Sequence, residues 1–289
     1  MSNAEMLCGA IALCLLACDG MAAGEVTNAA ELAQKYGEDL TWEDYTAYRA
    51  IVDALPDDER RWEQALEHQL GSYYFPLHVR ARIQPDFDPA TYEAGWGFVR
   101  DDPALPRVIL IGDSISRSYT MGVRRALAGV ANVHRAPANC GSTATALGFE
   151  ILKLWLNQGG SQWDVVYFNF GIHDRNRDGE EYAANLVKII EALRQTGATL
   201  IFARTTPFEN EDAPGVDASV PLNAISDAVM AEHGVAVDDL HGAVAERVAE
   251  LQGEDHVHFT AEGIAVLAEH VAATIKAALE AHEAAAGGE

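Results

Sequence analysis

"RVILIGDSISRSYT", residues 107–120, runs from β-branched and aliphatic residues straight into the turn Gly112-Asp113-Ser114-Ile115-Ser116. A short apolar run closed by small polar residues reads as a buried strand that hands over to a helix. Outward from it the same grammar repeats. "ANVHRA", "DVVYFNFG", "ATLIFARTT" and "GVAVDDL" alternate with helical stretches near 118–129, 143–157, 179–196, 218–233 and 260–282. Strands alternating with helices at this spacing build βαβ units around a parallel sheet. Ligands of such sheets bind beyond the carboxyl ends of the strands, where strand order switches. The polar residues to weigh are therefore Asp113 and Ser114 after the first strand, His173 and Asp174 after the third, and Thr205 and Thr206 after the fourth.

Ser114 has two readings. A serine at a strand-to-helix junction caps the helix with its hydroxyl. A nucleophilic serine needs a base within hydrogen-bond reach, a group that orients the base, and donors for an oxyanion. The chain offers all three. In "GEDHVHFTAEG", His258 stands three residues after Asp255 and just before the last helical stretch, so one turn can fold the carboxylate onto the imidazole. Gly141 in "APANCGSTATAL" lets backbone approach a ligand closely, and its N–H, that of Ser114 and a side chain from "NFGIHD" are the candidate oxyanion donors. Asn139 either lines the pocket or holds the turn, and Cys140 reads as a small buried hydrophobe. A competing reading gathers His256, His258, His173 and Asp174 around a metal, although an H-x-H pair without a fuller ligand cluster arises readily by chance.

"GDSIS", "NCGST", "GIHD" and the Asp255-His256-Val257-His258 stretch before "FTAEG" resemble, in order, the four blocks of the SGNH (GDSL-type) hydrolase superfamily. The resemblance covers roughly residues 107–280. It implies an α/β, flavodoxin-like three-layer fold with a central parallel sheet of about five strands, and esterase or lipase chemistry without metal or cofactor. It also implies Ser114 as nucleophile, His258 as base and Asp255 as its partner. The third block departs from the usual Gly-x-Asn-Asp, since His173 stands where an asparagine would donate to the oxyanion. An imidazole N–H can fill that role. Asp113, Asn139, Asp174 and Arg175 are the accompanying candidates for substrate contact, and Arg175 and Arg177 either meet an anionic group or are simply solvated.

Composition bounds the alternatives. With 289 residues, 49% of them hydrophobic, the chain can bury a sizeable core. Its 44 acidic residues against 20 basic ones, a formal charge of −24, repel nucleic-acid phosphates and anionic lipid. Residues 1–24 include the apolar run "MLCGAIALCLLACDGMAAG", which reads as an export signal, and Leu15-Leu16-Ala17-Cys18 resembles a lipoprotein box with Cys18 as a lipid anchor. Export to the periplasm or beyond is the expectation. Three of the four cysteines fall there, so no disulfide framework is implied. Residues 38–105 read as an extension packing on the core, with two helical stretches broken at Pro56 and then aromatic-rich loop beyond Gly71. Residues 106–283 form the hydrolase domain. The combined expectation is a serine esterase that removes an O-acetyl or short acyl group from a glycan or small-molecule ester. An acyltransferase, a lipase or thioesterase, and a non-catalytic carbohydrate-binding relative are the alternatives.

Overall fold

The structure, a computed structural model, describes residues 26–148, 151–157, 162–210 and 213–286. The apolar segment 1–24, with Cys8, Cys14 and Cys18, lies outside the described residues. The opening stretch forms β1 (Arg107–Ile111) and then α5 (Ser114–Ala126). Four helices precede it: α1 (Ala29–Tyr36), α2 (Trp42–Asp53), α3 (Asp57–Gln69) and α4 (Gly71–Arg82). After it come β2 (Asn132–Arg135), α6 (Thr143–Leu147), α7 (Ile151–Leu156), β3 (Val165–Phe168), α8 (Gly179–Arg194) and β4 (Thr199–Ala203). The small strands β5 (Glu209–Asn210) and β6 (Ala213–Asp217) then make an antiparallel hairpin. The chain closes with α9 (Ser219–Glu232), β7 (Ala236–Asp238), the short helices α10 (Gly242–Ala245) and α11 (Val248–Leu251), and α12 (Ala261–Ala286).

The main sheet runs β2-β1-β3-β4-β7 with every pairing parallel. The chain leaves β1 for β2 on one side and returns to β3 on the other, so the order switches between β1 and β3. Alternation along β1 divides the core. Val108 and Leu110 pack with Tyr119, Val123, Leu267, Val271 and Ile275 under α5 and α12, while Ile109 and Ile111 pack with Leu186, Ile189, Ile190, Phe202 and Met230 under α8 and α9. This is the three-layer α/β arrangement expected from the sequence.

Three boundaries differ from expectation, each for a physical reason. Helix α5 begins at Ser114, not near 118, because Asp113 caps it by accepting the Ile115 N–H at 2.9 Å, a contact worth about 1 kcal/mol. The stretch 143–157 is divided, with α6 ending at Leu147, the extended backbone of Gly148 closing it, and α7 beginning at Ile151. Residues 71–82, expected as loop, are helix α4. Its buried face is Phe75, Pro76, His78 and Val79, and two of those residue types, a proline and a histidine, conceal the apolar stripe. His78 is buried because Glu63 Oε2 sits 2.7 Å from its Nε2. The α1–α4 region has its own core of Tyr36, Tyr48, Leu66, Phe75 and Trp96.

Candidate active site

The segment after β1 carries Ser114 to the first position of α5, where Asp113 already does the capping. The serine hydroxyl is thereby left for another partner. Ser114 Oγ lies 2.8 Å from His258 Nε2, and His258 Nδ1 lies 2.6 Å from Asp255 Oδ2. The second carboxylate oxygen of Asp255 accepts the N–H groups of Val257 at 3.1 Å and His258 at 2.9 Å, so the turn that carries the imidazole also fixes its partner. These bonds, that from the His258 ring foremost, draw the Asp255 carboxyl down to about 2. Ser114 and His258 come from opposite ends of the α/β region and meet above the carboxyl edge of the sheet.

Gly141 has φ +61, a left-handed conformation open to glycine at little cost, and begins the approach to α6. Among the described residues, the N–H groups of Ser114 and Gly141 donate to no protein acceptor. His173 stands on a single 3-10 turn, Ile172–Asp174, directly after β3. It is exposed and lines a cleft of about 340 Å³ together with Ser114, Arg175, Asp255 and His258.

Three of the four candidates for substrate contact lie elsewhere. Asp174 is buried, and its carboxylate accepts Thr143 N at 2.8 Å, Thr143 Oγ1 at 2.7 Å and Arg177 Nε at 2.7 Å. It clamps the third-block turn to the start of α6 instead of facing the cleft. Asp113 is buried as the α5 cap. Asn139 holds a turn, its Oδ1 accepting from Arg135 Nη2 at 2.9 Å. Arg175 reaches the cleft. Thr205 and Thr206 are buried beneath it, Thr205 N–H donating to Asn223 Oδ1. Burial pushes the Cys140 thiol well up, which removes thiolate character from the residue beside Gly141. Among the described residues no three His, Cys, Asp or Glu side chains converge as a metal site, and both ring nitrogens of His258 already have partners.

Sequence reading missed two contributors. Arg135 is fully buried below the site and donates to Gly112 O, Asp113 O, Ala136 O, Ala138 O and Asn139 Oδ1. It ties the Ser114 turn to the loop that ends at Gly141, and burial pushes its guanidinium down to about 10. An arginine inside a strand gives no such signal beyond its oddity there. The β5–β6 hairpin supplies Glu209, Asn210 and Pro214 to the rim of the cleft, whereas no lining residue comes from 38–105.

The sequence profile of the GDSL-like lipase/acylhydrolase family matches residues 110–266. The chain belongs to that family. As a GDSL-like member the protein is a serine hydrolase, with esterase chemistry as its reaction class. Among solved structures it is similar to an SGNH hydrolase from Slackia heliotrinireducens, at 19% identity and a TM-score of 0.52, over 59% of this chain and 99% of that one. A lipase/acylhydrolase from Enterococcus faecalis aligns at 21% identity, TM-score 0.49, over 60% of this chain and 96% of its own. An acetylxylan esterase from Geobacillus stearothermophilus aligns at 17% identity, TM-score 0.47, over 57% and 92%. At these identities the first is a likeness of fold, and the other two have TM-scores below one half. Among curated proteins none matches the chain.

Proposed function

We propose that this GDSL-like protein is an esterase in which Ser114 is the nucleophile, His258 the general base and Asp255 the residue that orients it. The observation that carries the reading is the unbroken relay of 2.8 Å from Ser114 Oγ to His258 Nε2 and 2.6 Å from His258 Nδ1 to Asp255 Oδ2. Oγ attacks the acyl carbonyl as its proton passes to Nε2, and Asp255 holds the Nδ1–H tautomer and stabilises the imidazolium. The oxyanion receives the N–H groups of Ser114 and Gly141 and a ring N–H of His173. Collapse expels the alcohol, protonated by His258. Water, deprotonated by the same imidazole, then releases the acid from the acyl-serine.

The substrate is an O-acetyl or short acyl ester of a carbohydrate. A cleft open to solvent and rimmed by His173, Arg175, Glu209 and His256 supports that reading, because a polyhydroxylated alcohol portion exchanges hydrogen bonds with such a rim. The apolar Ile172, Phe208 and Val257 offer a small lining for a short acyl group.

A fluorophosphonate probe traps an activated serine and ignores a capping one. It should label Ser114, and Ser114→Ala should abolish both labelling and release of acetate from nitrophenyl acetate while the fold persists. Labelling at another residue, with Ser114→Ala fully active, overturns the assignment.

A further inference from the structure

His256 is, among the described residues, the sole non-glycine with positive φ, at +54°. Left-handed backbone is disfavoured for residues with a Cβ, although histidine is found there more often than most. The turn from Asp255 to His258 would be built more easily by glycine, so the imidazole calls for its own explanation. It points into the cleft on the same rim as Glu209, with 61% of its side chain exposed. Glu209 is held firmly: its N–H donates to His256 O at 3.2 Å and its Oε1 accepts Gly215 N–H at 2.6 Å. The other carboxylate oxygen, Oε2, stands 3.6 Å from His256 Nε2, within ion-pair reach of a protonated imidazole but beyond hydrogen-bond length. The two groups lie side by side with no direct hydrogen bond between them, so each keeps capacity for a further partner.

We propose that Glu209 and His256 form a diol-gripping subsite that determines specificity for the alcohol portion of the ester. One hydroxyl of a vicinal pair donates to Glu209 Oε2, and the neighbouring hydroxyl either accepts at its oxygen from His256 Nε2–H or donates its O–H to an unprotonated Nε2. Because His256 lines the same cleft as Asp255, His258 and Ser114, a sugar held there has an adjacent acylated oxygen within reach of that cleft. The inference rests on the esterase reading and names the part of a glycan that the site recognises.

The test compares methyl 2-O-acetyl-xylopyranoside, which keeps its 3,4-diol, with its 3,4-di-O-methyl counterpart, which lacks it. For the unaltered protein kcat/KM should favour the diol by about tenfold, the worth of one charge-assisted hydrogen bond. His256→Gly, whose backbone tolerates the turn, should reduce that preference to within about twofold, chiefly through KM. Glu209→Gln, which keeps the backbone bond to His256, should do the same and stands in should the first variant fold poorly. His256→Asn, which also tolerates left-handed backbone and retains a donor, should recover part of it. Equal rates for the two substrates in the unaltered protein, or a preference unchanged in both variants, overturn the subsite. So does turnover of neither pyranoside by a protein whose Ser114 takes up fluorophosphonate, an outcome that leaves the relay standing. Absence of labelling in the unaltered protein sinks the relay itself.

Discussion

The relay places unequal demands on its members. Asp255 is about half exposed, yet its carboxyl lies near 2 where 3.8 is usual, first because the His258 ring donates to it and then because two backbone N–H groups do. A value lowered in the folded state contributes stability above pH 3.8 that is lost as pH falls through about 2. Exposure keeps that contribution below about 1 kcal/mol. Its catalytic weight is greater, since asparagine in this place would favour the wrong imidazole tautomer. Asp255→Asn should therefore lower kcat by as much as about 10⁴-fold while hardly moving Tm. A kcat within tenfold of the original would remove Asp255 from the relay. Down the acid limb of kcat/KM, one proton should account for the slope, because Asp255 is still ionised there. His173→Ala tests the departure in the third block: a lost oxyanion donor should cost about 10²- to 10³-fold in kcat with little change in KM. A raised KM at constant kcat would make His173 a substrate contact instead.

At the scale of elements, the decisive contact is that of α5 with α12. Gly122 lets the helices approach so closely that a Cβ there would sit 2.4 Å from the Ala268 Cβ. In a free helix Gly→Ala gains up to about 1 kcal/mol. Here overpacking, at about 1–3 kcal/mol, outweighs it. Gly122→Ala should thus lower Tm and, by shifting the helix that follows His258, lower kcat as well; a raised Tm in thermal denaturation would refute the argument. The strand "RVILI" was legible because its alternation serves both layers of the core, the first three blocks because they sit where strands end, and the fourth because it runs straight into the last helix. The β5–β6 hairpin was not, since "FENEDAPGVD" shows no alternation, its turn dipeptide Pro214-Gly215 falls inside β6, and its strands bury little. Helix α4 escaped because tertiary partners, not periodicity, make His78 and Pro76 core residues. Of the site, the residue types were readable; that Asp113 and Asp174 act as cap and clamp depends on burial, which no spacing encodes.

Over the whole molecule, the α1–α4 unit leans on α5, the helix that begins at Ser114. The Arg117 guanidinium of α5 lies 5.3 Å from the Tyr74 ring centre and 5.6 Å from that of Trp96, and Arg125 pairs with Glu93. Inside the unit, Glu63 is buried with His78, Tyr48 and Arg82 around its carboxylate. Burial pushes its carboxyl up, but the bond to His78 and the charges and hydrogen bonds around it outweigh that, leaving it below its usual 4.5. The sign follows: ionised Glu63 adds stability above pH 4.5 that disappears as pH falls through the lower folded value. Hydrogen exchange should show α2–α4 loosening in acid before the parallel sheet does. Glu63→Gln should weaken the unit at neutral pH by about 1–3 kcal/mol and flatten this acid dependence. Exchange that rises together in both regions would show one cooperative unit.

The separation of Ser114 and His258 by 144 positions also orders events during synthesis. A chain still on the ribosome displays its serine long before the imidazole has emerged, and domains fold as their residues become available. Nascent or prematurely terminated chains are therefore chemically silent, and reactivity toward an acylating probe counts finished molecules alone.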